Sequence, residues 1–257
     1  MTQGDSVSAH SYKAGTVRKR WRGSVAVSEM EVTASFLRNK YWVLRHGKSI
    51  PNERGLIVSS MENGTRPEYE LASEGISQAQ LAGELFQKEL KEKNIPLENV
   101  RICYSPFSRT THTSKVVASV LGIPFEGPQC KVIVDLRERF FGPSFELMSH
   151  DKYSDIWDLD AKDPFMRPEG GESVNDVVSR IVRAIATIES QFQGCTILVV
   201  SHGDPLQILQ TILNAAKQHE GSSCTDFESI IQEVRIPAIL SQHRKSALNT
   251  GELRAVI

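Results

Sequence analysis

The sequence has no apolar stretch long enough to cross a bilayer; runs such as Ile197 to Val200 span a handful of residues, where a spanning helix needs about 20. It also has almost no net charge, −1 at pH 7, so nothing global draws it to nucleic acid or to an anionic membrane. Cysteine is scarce: Cys103, Cys130, Cys195 and Cys224 lie far apart and form no C-x-x-C pair. That spacing argues against a structural zinc site and reads as reduced thiols in an intracellular protein. No hydrophobic block of signal-peptide length occurs near the start, so secretion is not expected and a cytoplasmic location is. Acids are few at the start of the chain, where Asp5, Glu29 and Glu31 face the basic cluster Arg18, Lys19, Arg20 and Arg22. Residues 1–38 are therefore predicted to be a disordered extension. The alternative is an organelle-targeting presequence, which would change the location.

What is present from Tyr41 onward is a regular alternation. Short apolar runs (Tyr41–Leu44, Val100–Tyr104, Val132–Leu136 and Thr196–Val200) are separated by longer helical patterns. That order predicts an α/β fold, a three-layer αβα sandwich with a mostly parallel central sheet. One helix is expected from Ser73 through Leu81, Leu85 and Leu90, and a second from Ser108 through Val116, Val117 and Val120. Gly122 and Pro124 should end the second. A third begins near Glu172 and Ser173 and carries Val177, Val178, Ile181, Ile185 and Ile188. Another follows Pro205, a residue suited to a first helical turn. Residues 244–257 read as a last strand entered through Asn249-Thr250-Gly251. The length, 257 residues, fits one such domain with a tail, or at most two small domains.

Four of these strands exit into polar residues. Arg45-His46-Gly47 follows the first, Ser105 to Thr110 (with Arg109) the second, Arg137-Glu138-Arg139 the third and Ser201-His202-Gly203 the fourth. In a parallel α/β sheet the carboxyl ends open on one edge, where ligands bind. Two histidines, at least two arginines and a glutamate should meet there. A single tripeptide of this kind carries little weight, and a lone histidine after a buried strand is usually structural. Four such exits together are hard to produce by chance.

The set suits phosphoryl transfer without metal. That reaction asks the protein mainly to position and to neutralise the equatorial oxygens. Arg45 and Arg109 offer forked, permanent charge that matches phosphate. His46 offers a neutral nitrogen as nucleophile. His202 can donate to the same oxygens, and a protonated Glu138 can give its proton to the leaving group. Gly47 and Gly203 let the backbone approach the ligand.

At these residues the sequence resembles the histidine phosphatase superfamily, in its phosphoglycerate mutase-like branch. The resemblance runs from about Tyr41 to the end of the chain. It rests on Leu44-Arg-His-Gly47 with Asn52, Leu71-Ala-Ser-Glu-Gly75, Ser105 to Thr110, Glu138-Arg-Phe-Phe-Gly142, Pro168-Glu-Gly-Gly-Glu-Ser173 and Ser201-His-Gly203. It implies a catalytic domain over residues 39–257, His46 as the phosphohistidine nucleophile and Glu138 as proton donor. Arg45, Arg109 and His202 would form the phosphate pocket, with Asn52 and Gly203 beside them and neither metal nor cofactor required. Lys48 and Asp204 depart from the pattern, since many members have Glu or Gln at the first position and mutases typically have Asn at the second. No Arg-Arg pair lies between Gly142 and His202 to grip a second phosphate. The expected activity is a phosphomonoesterase acting on a small phosphorylated metabolite or a phosphoprotein. The alternatives are mutase-type transfer and a non-catalytic phospholigand-binding protein. The sequence leaves the substrate and oligomeric state open.

Several motifs compete. Cys103 to Thr110 spells C-x₅-R-T, the loop pattern of cysteine phosphatases, yet its intervening residues hold no glycine and Pro106 removes a backbone donor. Cys103 is expected to point into the sheet. Asp158-Leu-Asp160 follows no apolar strand and is expected in a solvated loop, and Glu169-Gly-Gly-Glu172 reads as a turn before a helix. No grouping of carboxylates or histidines at metal-ligand spacing is visible. Lys48 either faces an acidic substrate or is a charge on the rim.

Overall fold

The computed structural model describes residues 37–218 and 227–256. The prediction for residues 1–36 lies outside them. Leu37 is buried and the Arg38 backbone N–H donates to Glu189 at 2.7 Å, so domain contacts begin two residues before position 39. No helix among the described residues is long and apolar enough to cross a membrane.

The apolar runs become strands buried on both faces, as parallel strands covered by helices must be. They are β1 (Lys40–Arg45), β2 (Val100–Tyr104), β3 (Cys130–Val132) and β4 (Thr196–Ser201), with a short β5 (Leu253–Ala255). Their order across the sheet is β3-β2-β4-β1-β5. The first three pairings are parallel, and β5 alone runs antiparallel, on β1. The helices are α1 (Ile50–Arg54), α2 (Met61–Gly64), α3 (Ser73–Glu92), α4 (Ser108–Leu121), α5 (Tyr153–Lys162), α6 (Val174–Gln191), α7 (Gly203–Gln218), α8 (Phe227–Val234) and α9 (Pro237–Leu240).

Side-chain alternation along the strands divides the core in two. Tyr41, Val43, Cys103, Ile197 and Val199 face α6 and α7, whose Val177, Ile181, Ile185, Leu209 and Leu213 complete that layer. Trp42, Leu44, Ile102, Leu198 and Val200 face α3 and α4, through Phe86, Leu90 and Val117. The predicted αβα sandwich is therefore the observed one. α4 ends where expected, with Gly122 in the left-handed region at φ 72°. α6 starts with a reciprocal cap between Ser173 and Asp176.

Three local expectations are corrected. Leu81 and Leu85 do not form the inner face of α3; they are 56% and 47% exposed, while Ala79, Ala82, Phe86 and Leu90 are buried. The reason is close packing on α4. A β-carbon added at Gly83 would lie 3.0 Å from Val120 Cβ, so small residues occupy the interface and the leucines turn outward. The third strand stops at Val132, and Val134–Leu136 forms a 3₁₀ turn. There the buried Arg180 takes the carbonyls of Asp135 and Arg137 at 2.8 and 2.9 Å, oxygens that a strand would give to its neighbour. Asp158 and Asp160 lie in α5 rather than in a loop, and Asp160 is buried against Arg139.

Candidate active site

β1, β2 and β4 bring their ends to one place, and each exit is held by its neighbours. The His46 backbone N–H donates to the Ser201 carbonyl at 3.0 Å, and that of Ser105 to the Val200 carbonyl at 3.1 Å. Glu138 arrives from the 3₁₀ turn, which the Ser201 hydroxyl anchors by donating to the Leu136 carbonyl at 2.7 Å. His46, His202, Arg109 and Glu138 are all buried. The imidazoles of His46 and His202 meet edge to face with centroids 5.2 Å apart. Glu138 Oε2 lies 3.7 Å from Arg109 Nη2 and 3.8 Å from His202 Nδ1.

Hydrogen bonds define the state of each ring. His46 Nδ1 sits 2.8 Å from the Gly47 carbonyl, so it carries the proton and Nε2 keeps its lone pair. Arg109 Nε donates to that Nε2 at 3.1 Å, and Arg109 Nη2 donates to the Val58 carbonyl at 3.0 Å. Burial, then Arg109 and Arg45, hold His46 well below the usual imidazole range, which keeps it neutral. His202 is depressed in the same way, first by burial and then by Arg109. Its Nε2 is 2.8 Å from Ser105 Oγ, an oxygen that already accepts from the Phe107 backbone N–H at 3.3 Å. With the Ser105 hydroxyl proton donated to Nε2, Nδ1 bears the ring hydrogen and is free to donate to a ligand.

Three donors in this cluster are buried with no partner: Arg45 Nε, Arg109 Nη1 and His202 Nδ1. Unsatisfied buried donors are costly. Their concentration around a neutral imidazole marks a place built for an anion. Glu138 is the opposite kind of group. Burial pushes its carboxyl up to about 7 against the pull of Arg109, with Asp204 adding to the rise.

The remaining expected residues divide. Asn52 and Gly203 line a cavity of about 420 Å³ that also receives Arg45, Glu138, Tyr153, Trp157, Asp204 and Arg244. A smaller pocket that holds His46 and Arg109 shares Arg45, Asn52, Glu138 and Tyr153 with it. Asn52 uses its side-chain oxygen to accept from the Ser49 N–H and hydroxyl at 3.0 and 2.8 Å, leaving its NH₂ for the cavity. Gly47 has a different task from the one expected. A β-carbon there would lie 2.2 Å from the Gly75 carbonyl oxygen, and one on Gly75 would lie 2.0 Å from that of Lys48. The glycine lets the first turn of α3 press against the β1 exit. Lys48 pairs with Glu74 at 2.7 Å and is a rim charge.

The supporting groups were largely invisible in the sequence. Glu146 accepts from Ser59, Ser60 and Asn63, fixing the loop whose Val58 carbonyl holds Arg109. Arg139 is fully buried and donates to both oxygens of Asp160, at 2.6 and 2.8 Å, and to Asp204 at 3.2 Å. Asp160, Asp204 and His243 offer ligand atoms within 4.8 Å of one another, a grouping that linear spacing did not reveal. The Arg139 guanidinium already occupies both Asp160 oxygens. Cys103 is fully buried in the sheet and burial pushes its thiol up to about 12, the reverse of what a nucleophilic cysteine needs.

The model of the histidine phosphatase superfamily (branch 1) matches residues 41–225, and the chain belongs to that family. No curated protein sequence matches it significantly. Among solved structures it is similar to a mycobacterial glucosyl-3-phosphoglycerate phosphatase in complex with VO₃, with a TM-score of 0.58 and 19% identity over 84% of this chain and 89% of that one. An open-reading-frame product of Mycobacterium tuberculosis gives a TM-score of 0.55 and 23% identity over 84% and 89%. At these identities the likeness shows the fold. A structure from Escherichia coli described as an α-ribazole-5′-P phosphatase is 27% identical over 69% of this chain and 79% of that one, with a TM-score of 0.50.

Proposed function

We propose that the protein is a metal-independent phosphomonoesterase that works through a phosphohistidine on His46. The observation that carries this reading is the neutral His46 imidazole, its Nε2 accepting from Arg109 Nε, in a cluster where Arg45 Nε, Arg109 Nη1 and His202 Nδ1 are buried without a partner. A phosphoryl group entering there takes those donors, and Arg109 turns from the imidazole to a phosphoryl oxygen. Nε2 then attacks phosphorus as the ester P–O bond breaks, and Glu138 gives its proton to the departing oxygen. In the second half Glu138, now a carboxylate, takes a proton from water. That water attacks phosphorus, the N–P bond breaks, and phosphate leaves.

The names borne by the mycobacterial and E. coli structures support hydrolysis over transfer. So does the wall contributed by the segment from Gly142 to His202, which offers the cavity His150, Tyr153 and Trp157 but no lysine or arginine. A mutase has to hold a doubly phosphorylated intermediate and needs cations in number, whereas Arg244 is the one cation besides Arg45 among the described residues lining this cavity.

The test is hydrolysis of p-nitrophenyl phosphate by the purified protein, with and without a strong chelator. Phosphate release that survives the chelator is expected. Loss restored by magnesium or zinc would overturn metal independence. Interconversion of 2- and 3-phosphoglycerate with little free phosphate would mean a mutase, and no turnover of any phosphomonoester a binding protein.

A further inference from the structure

The far wall of the cavity carries a cation whose arrangement suggests a second role. Tyr153 and Trp157 stack with ring centroids 5.6 Å apart and planes 6° from parallel. The Arg244 guanidinium lies over the Trp157 ring, 3.3 Å from its centroid. The indole thus contacts both a phenol ring and a cation. A guanidinium laid on an aromatic face is held in orientation while its N–H edge stays free. Among the described residues no carboxylate pairs with Arg244, although most other arginines here have such a partner. Arg244 also lines the same cavity as Arg45, Glu138 and Gly203. About 420 Å³ is far more than the phosphoryl group alone requires and lies in the range of small-molecule sites.

We infer that Arg244 binds a second anionic group, a carboxylate or a phosphate, on the alcohol half of the substrate. The substrate is then a small phosphomonoester with a negative charge at its far end, and Trp157 is the positioning residue that holds Arg244 over its ring. The inference rests on the phosphomonoesterase reading for its reaction but not for its binding. The buried side-chain oxygen of Gln207, which lines the cavity without a donor, fits a hydroxyl between the two ends.

Non-hydrolysable probes separate the two claims. Calorimetry would compare ω-phosphonocarboxylates of two to six methylenes with alkylphosphonates of the same length, and α,ω-bisphosphonates would show whether phosphate serves as well as carboxylate. At the best length the dianionic-headed carboxylate should bind roughly tenfold tighter than its alkyl partner, the scale of one charge-assisted hydrogen bond in a partly exposed site. Arg244→Ala should bring that ratio to about one, Arg244→Lys should keep part of it, and Trp157→Phe should keep more than Trp157→Ala. No preference at any length, or a preference that survives Arg244→Ala, would overturn the inference. Failure to hydrolyse p-nitrophenyl phosphate would leave these binding ratios intact and count against the phosphomonoesterase reading alone.

Discussion

Burial raises the pKa of the Glu138 carboxyl, and Asp204 adds to that rise. Glu138 is held up to about 7, so below that value it keeps the proton it must donate and above it the proton is lost. The expected kcat/KM on an alkyl phosphate therefore falls with a limb near pH 7 on the alkaline side. Glu138→Gln should remove that limb and slow alkyl phosphates far more than aryl phosphates, because a phenolate departs without protonation. Equal losses on both substrate types would show that Glu138 is not the donor. Asp204, the departure from the mutase pattern, helps keep the proton on Glu138 by repulsion. Asp204→Asn should move the limb to lower pH, and a limb that stays or rises would remove Asp204 from the account. The sequence displayed Glu138 plainly at a strand exit. It hid the Arg139–Asp160–Asp204 cluster, because Asp160 sits on a helix with few buried apolar residues and nothing local marks its partner.

Helices were legible where large side chains carried the pattern and misread where small ones did. α6 buries every one of its predicted apolar positions, from Val177 to Ile188. α3 buries Leu90 but not Leu81 or Leu85, because Gly83 lies close against Val120 of α4 and Gly75 against the β1 exit. Two substitutions measure the difference. Gly75→Ala would set a β-carbon 2.0 Å from the Lys48 carbonyl oxygen, and its denaturation midpoint should correspond to a loss of about 2 kcal/mol or more. Leu81→Gln, on the exposed side, should change stability by no more than about 0.5 kcal/mol. A large loss at Leu81 with none at Gly75 would mean that α3 presents its other face.

Across the whole molecule, the sheet's carboxyl edge gathers residues far apart in sequence, and the periodicity of the apolar runs was enough to foresee that gathering. The contribution of the C-terminal segment was not foreseen. Arg45 Nη1 donates to the Leu248 carbonyl at 2.6 Å, and the Gly251 N–H donates to the carbonyls of Arg45 and His46 at 3.1 Å each. Arg244, Ala247, Leu248 and Asn249 also line the cavity that Glu138 lines. A 3₁₀ turn and a three-residue edge strand give no periodic signal, so their role follows only from tertiary contact.

The account's central claim concerns the atom that carries the phosphoryl group, and rapid quenching during turnover of a ³²P-labelled phosphomonoester tests it most directly. Label should map to His46, be lost in acid and persist in alkali, as an N–P bond behaves. His46→Ala should abolish both labelling and turnover. Cys103→Ser should leave them in place, with a stability cost of roughly 1–3 kcal/mol if the buried hydroxyl finds no partner. Label that maps to Cys103, with most of the rate surviving His46→Ala, would contradict the account.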